Sequence, residues 1–204
     1  TAGFGILSTE TQRGMYLLFT LVLSFMIFPM TSRSFRNSPS ALDWIFIILT
    51  VVSFGYWMQQ YTQYVWRVGE PTVLDTLFGI VASMLVIDVQ RRVLGNVLIF
   101  VTMILFLQLY FGPYLPGTLK HPGFTWVRII EFTYSRMEAI FGIITDTFAS
   151  YVFPFIILGA FFERSGAGDF FVRLAMGLAG RWTGGPAKIA VIASGLFGSI
   201  SGSS

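Results

Sequence analysis

Between Val93 and Leu115 the chain carries no charged side chain and reads Leu-Ile-Phe-Val-Thr-Met-Ile-Leu-Phe-Leu through its middle. As a helix rising about 1.5 Å per residue, such a run is long enough to cross a hydrocarbon core of about 30 Å. It is not alone. Gly14 to Met30 has no charge, and a second run goes from Trp44 to about Met58. A third, Val73 to Val89, has Asp75 near its mouth and Asp88 at its far end. Ala139 to Phe162 is interrupted only by Asp146 and Pro154. In lipid the backbone has to satisfy its own hydrogen bonds, so runs of this length are read as helices. The chain is expected to be an all-α integral membrane protein, a multi-span helical bundle.

Composition agrees. Charged residues make up 11% of the 204 positions and hydrophobic ones 54%, against about 25% charged in a soluble domain. The net charge of +3 does not mark a nucleic-acid partner. The basic residues sit in loops between apolar runs, which is a topology signal facing lipid and water. The sequence has no Cys, hence no disulfide framework and no thiolate site. Its lone histidine, His121, falls in a Pro-Gly loop and reads as a surface residue.

The connecting segments differ in character. Gln59 to Trp66 is rich in Tyr, Gln and Trp, residues that settle at a membrane interface, and the whole aromatic region Tyr56 to Trp66 reads as an interfacial belt rather than a ligand site. Gln90-Arg91-Arg92 reads as a tight turn between spans three and four. Phe124 to Glu138 interleaves Arg128, Glu131, Arg136 and Glu138 with apolar residues, as in a helix lying in the interface or bracing others. Phe170 to Gly180 is apolar but too short to span. If every longer run crosses, segments 31–43, 88–92 and 163–188 share one side and hold most of the Arg and Lys. The positive-inside rule makes that side cytoplasmic. A cysteine placed at Ser38 should then resist impermeant thiol reagents added to intact cells, whereas one at Thr118 should label. Reversed labelling would overturn the map.

The acids inside the runs need partners or water, since a charge in hydrocarbon is costly. Asp146 is a possible intramembrane functional acid, or it lies near enough to the interface to be solvated. Asp75 and Asp88 lie near span ends, and Asp88 can form a surface pair with Arg91 or Arg92. No nucleophile–His–acid set, His/Glu metal cluster or nucleotide loop is present in the sequence. Gly198-Ser-Ile-Ser-Gly lacks the strand and the His partner of a nucleophile elbow.

From Arg181 the chain passes a Gly-Gly-Pro turn, an apolar run from Ile189 to Phe197, and then Gly198-Ser199-Ile200-Ser201-Gly202-Ser203-Ser204. Gly loosens a helix and Ser adds hydroxyl ligands. Broken backbone at membrane depth is tolerated where it lines a cavity, and its carbonyls with hydroxyls suit a small cation or a carboxylate. Alternatively Gly195, Gly198 and Gly202 allow a close helix crossing. The chain begins at Thr1 and stops inside this stretch, so it is expected to be an internal piece of a longer protein.

Several short motifs occur in a telling order: Gln12-Arg13-Gly14, Arg91-Arg92-Val-Leu-Gly95, Leu115-Pro116-Gly117 with His121-Pro-Gly123, Phe155-Ile-Ile-Leu-Gly159-Ala-Phe, Ser165-Gly-Ala-Gly168, Gly184-Gly-Pro-Ala-Lys188 and Gly198 to Ser204. In this order they resemble the fused permease of tripartite ATP-independent periplasmic (TRAP) transporters, of the type associated with TAXI-class solute-binding proteins. One departure is Ala139, where the family pattern has a Gly after Glu138.

The resemblance implies a small-subunit-like scaffold over 1–115 and a loop with an interfacial or bracing helix over 116–138. Over 139–204 it implies the start of an elevator-type transport domain with a re-entrant Gly/Ser hairpin. It implies ligation of ion or substrate by Gly198, Ser199, Ser201, Gly202, Ser203 and Ser204, and a coupling ion, Na+ or else H+, with no other cofactor. It implies import of a small carboxylate delivered by a periplasmic solute-binding protein, in a bacterial or archaeal cytoplasmic membrane. A structural membrane subunit without its own site, or an intramembrane enzyme, is the alternative.

Overall fold

In the computed structural model, residues 8–30, 40–179 and 184–201 are described. All regular structure among them is helical. Helix α1 covers Thr9–Ile27, α2 Ala41–Tyr64, α3 Val73–Leu94 and α4 Asn96–Tyr110. Two single turns, Gly112–Tyr114 and Gly117–Leu119, lead to α5, Trp126–Ile130, which continues as a π-helical turn over Glu131–Ser135. Then come α6, Ile143–Thr147, a second π-helical turn Phe148–Val152, and α7, Phe153–Arg164. Helices α8, Ala167–Ala179, and α9, Gly185–Ser201, follow. The contacts divide the chain into two units, 1–146 and 147–204.

Local chemistry sets the helix ends. Ser40 and Thr72 each open a helix by a capping box, with Asp43 and Asp75 three residues later closing back on the cap N–H. Gly95 closes α3 and opens α4 at φ +83°, a left-handed conformation that a side chain would strain. Arg91 and Arg92 are therefore the last turn of α3, not a separate turn as the sequence led us to expect. Their cations suit the negative end of the helix. Pro113 lies just past the end of α4, so the run 93–115 does not form one long helix. At 15 residues α4 reaches only about 22 Å.

Among the described residues, three helical stretches are long and apolar enough to cross a membrane: Ala41–Tyr64, Val73–Leu94 and Ile143–Phe162. The first sequence run belongs to a helix that starts earlier, at the Ser8 cap, and so takes in Glu10 and Arg13. In the last stretch, Pro154 follows the π-helical turn. Its missing N–H and bulky ring disturb the regular ladder one turn back, and the backbone widens there. Helix α8 has 13 residues, about 20 Å, in keeping with a segment that does not cross by itself.

The core of the first unit joins Leu21 and Phe25 of α1, Ile47, Phe54 and Trp57 of α2, and Ala82 and Leu85 of α3 with Tyr134 and Phe141. Trp57 and Phe141 stack with ring centroids 3.6 Å apart at 7°. Tyr64 is buried as well. The stretch Tyr56 to Trp66 is thus not simply an interfacial belt: Trp57 and Tyr64 turn inward while Trp66 stays exposed. Helix α3 approaches the 126–135 segment at Gly79, where an added Cβ would stand 2.5 Å from Ile130 Cγ2. Among the described residues of the second unit, the buried positions are small: Ala149, Ala175, Ala179, Gly185 and Ala193. Alanines let helices such as α8 and α9, which pack together, come close.

Candidate functional site

The sequence marks α9 as the place to look. Gly198, Ser199 and Ser201 lie on its final turns; Gly202, Ser203 and Ser204 lie outside the described residues. The break in the backbone expected from Gly198 onward is absent as far as Ser201. Helix propagation is cooperative, and a single Gly costs only about 1 kcal/mol, so the apolar run 189–197 carries the helix through Gly195 and Gly198. Gly195 is exposed with nothing within 4 Å of an added Cβ, and Ala193 is the buried residue beside it. Within this unit, Gly195 is not where another helix closes in.

The acids weighed in the sequence are all paired. Asp146 accepts from Arg13 Nε at 3.0 Å, and Arg13 also donates to the Phe141 carbonyl at 2.8 Å. With Asp146 only 31% exposed, the pair relieves the charge near the start of a membrane-capable stretch. Asp75 is buried, accepts from the Tyr56 hydroxyl at 2.7 Å and the Thr72 amide at 2.8 Å, and has Arg67 at 3.5 Å. Asp88 does more than form a surface pair. It holds Arg91 at 2.8 Å and Arg92 at 2.6 Å, and Arg92 reaches on to the fully buried Asp43 at 2.6 Å.

Two members of these clusters gave little sign in the sequence. Glu131, nearly buried, accepts from the Gly69 amide at 2.9 Å and from Arg128 at 2.7 Å, with Arg136 at 3.4 Å. Tyr134 donates to the Ser53 carbonyl; burial pushes its hydroxyl pKa up, so it remains a donor. Asp43 did leave a trace, since Ser40-x-x-Asp43 is a capping-box pattern. These groups bind one another and hold helices together. His121, read as a surface residue, instead ties its loop: Nδ1 accepts from Gly123 N and Nε2 lies 3.1 Å from the Gln108 carbonyl.

The family model for the tripartite ATP-independent periplasmic transporter, DctM component, matches residues 78–204, more than half of the chain. The chain belongs to the DctM family. It is accordingly a TRAP-transporter membrane component rather than an enzyme, and its span-capable helices make it a multi-pass membrane protein. The DctM match starts inside α3 and takes in everything from α4 to α9, including the Gly/Ser stretch. No curated protein and no solved structure matches the chain.

Proposed function

We propose that the protein is the permease of a TRAP system that imports a small carboxylate, driven by an ion gradient, in a bacterial or archaeal cytoplasmic membrane. The coupling ion is Na+, with H+ as the alternative, and a TAXI-type periplasmic solute-binding protein delivers the substrate. The observation that carries this reading is the DctM match extending through α9 to the Gly/Ser stretch. Its scaffold would be residues 1–115, braced by 116–138, and its transport domain would begin within 139–204. The salt-bridged helices of the first unit support a rigid scaffold. The test is uptake by the full-length permease with its binding protein in proteoliposomes, with and without a sodium gradient. Uptake that ignores both the gradient and the binding protein would refute it.

The site is proposed at Gly198, Ser199, Ser201, Gly202, Ser203 and Ser204, where the turn opens to present carbonyls and hydroxyls to the ion or substrate. Neutral oxygens suit an alkali ion that must also leave. Ser201→Ala and Ser203→Ala in the full-length protein remove one oxygen each and almost no volume. Each should raise the half-saturating ion concentration about tenfold, equivalent to about 1.4 kcal/mol, at unchanged expression and thermal stability. Normal transport by both variants across the whole ion range would mean that the stretch serves packing only. Gly198→Leu would then be the damaging change.

A further inference from the structure

A cavity of about 380 Å³ opens between the end of α4 and the 126–135 segment, walled by Leu109, Phe124, Ile129 and Phe132 and bearing Arg128 and Arg136. Its frame is fixed by the backbone: Phe124 N donates to the Leu109 carbonyl at 3.0 Å. Both arginines bridge to Glu131, so two positive charges share one negative charge. The Arg136 Nε is buried without a hydrogen-bond partner among the described residues, and Arg128 is still 44% exposed. Donor capacity and one net positive charge are left over beside apolar walls.

The cavity also sits at a recognisable depth. On one side lies α4, uncharged throughout and without a buried residue, as a helix facing lipid would be. At the end of α4, Tyr110 stacks on Trp126 at 4.9 Å, with Phe111 and Tyr114 beside them, a cluster of the kind found where hydrocarbon meets headgroups. We propose that this cavity is a phospholipid site. The phosphate is held between Arg128 and Arg136, and an acyl chain runs along Leu109, Phe124 and Phe132. Arginine forks fit phosphate oxygens in pairs. The excess positive charge favours an anionic lipid over a zwitterionic one of the same chain length.

Purified full-length permease, stripped of lipid in detergent, would be titrated with phosphatidylglycerol, with phosphatidylcholine of matched chains, and with inorganic phosphate. Retained lipid is read by mass spectrometry and stability by thermal melting. Phosphatidylglycerol should be retained severalfold more than phosphatidylcholine and raise the melting temperature, while phosphate should do neither. Arg128→Gln and Arg136→Gln should each weaken phosphatidylglycerol retention about tenfold. Phe132→Glu leaves both bridges to Glu131 intact and places a negative charge on the exposed wall. It should abolish retention, and it decides the matter if either arginine variant fails to fold. Wild-type retention in Phe132→Glu would overturn the proposal. So would equal stabilisation by inorganic phosphate, which would make the cavity a site for small anions.

Discussion

Arg92→Met is expected to destabilise the protein by about 3–5 kcal/mol, the usual consequence of removing one partner from a buried ion pair. The Arg92 side chain is only 4% exposed and Asp43 is fully buried. One guanidinium serves Asp43 and Asp88 at 2.6 Å each and the Phe28 carbonyl at 2.9 Å. It also lies over the Phe25 and Phe46 rings, at 4.9 and 5.4 Å from their centroids. Helices α1, α2 and α3 meet on this side chain. Methionine would fill part of the space but would leave Asp43 charged and unpaired. Adding Asp43→Asn should recover part of the loss. It removes the stranded charge yet keeps an oxygen for the Ser40 amide, which Asp43 accepts from at 2.9 Å. Denaturation of the detergent-purified single and double variants measures the coupling, which should exceed about 1 kcal/mol. A single variant within about 0.5 kcal/mol of wild type would show that the network adds nothing.

Trp57→Ala should cost a similar amount, about 3–5 kcal/mol, for a different reason. Trp57 is fully buried, stacks on Phe141, and packs against Tyr61 at 5.1 Å between centroids. Truncation leaves a cavity lined by rings that cannot collapse into it. The indole nitrogen has no hydrogen-bond partner among the described residues, so none of their hydrogen bonds is lost. Trp57→Phe should therefore be much milder, keeping a ring on Phe141. Equal losses for Ala and Phe would mean that the site depends on something other than packing. Trp66, which is 85% exposed, provides the contrast: Trp66→Ala should be near neutral.

The two tryptophans show where sequence reading reaches its limit. Both stand in one aromatic stretch, and composition gives them the same fate. Their burial differs because Phe141, far along the chain, comes to rest on one and not on the other. Asp146 teaches the same lesson. Its cost inside an apolar run was legible, but its partner Arg13 is separated by 133 positions and no local pattern links them. The capping boxes closed by Asp43 and Asp75 are local patterns, since their first partner is three residues away. Their second partners, Arg92 and Arg67 with Tyr56, lie farther off in the chain.

The sequence by itself determined the class of molecule, because uncharged runs of membrane length have few other places to go and the backbone inside lipid has to coil on itself. It also carries the side-chain caps that open α1, α2, α3 and α5, which act over a few residues. The motif order up to Gly198–Ser204 was enough to point to the transporter family. Only the tertiary structure decided which charges pair, which aromatics are buried, and that the helix runs on through Ser201. Those outcomes depend on packing and on electrostatics between side chains far apart in sequence. Such energies exist only once the helices have met.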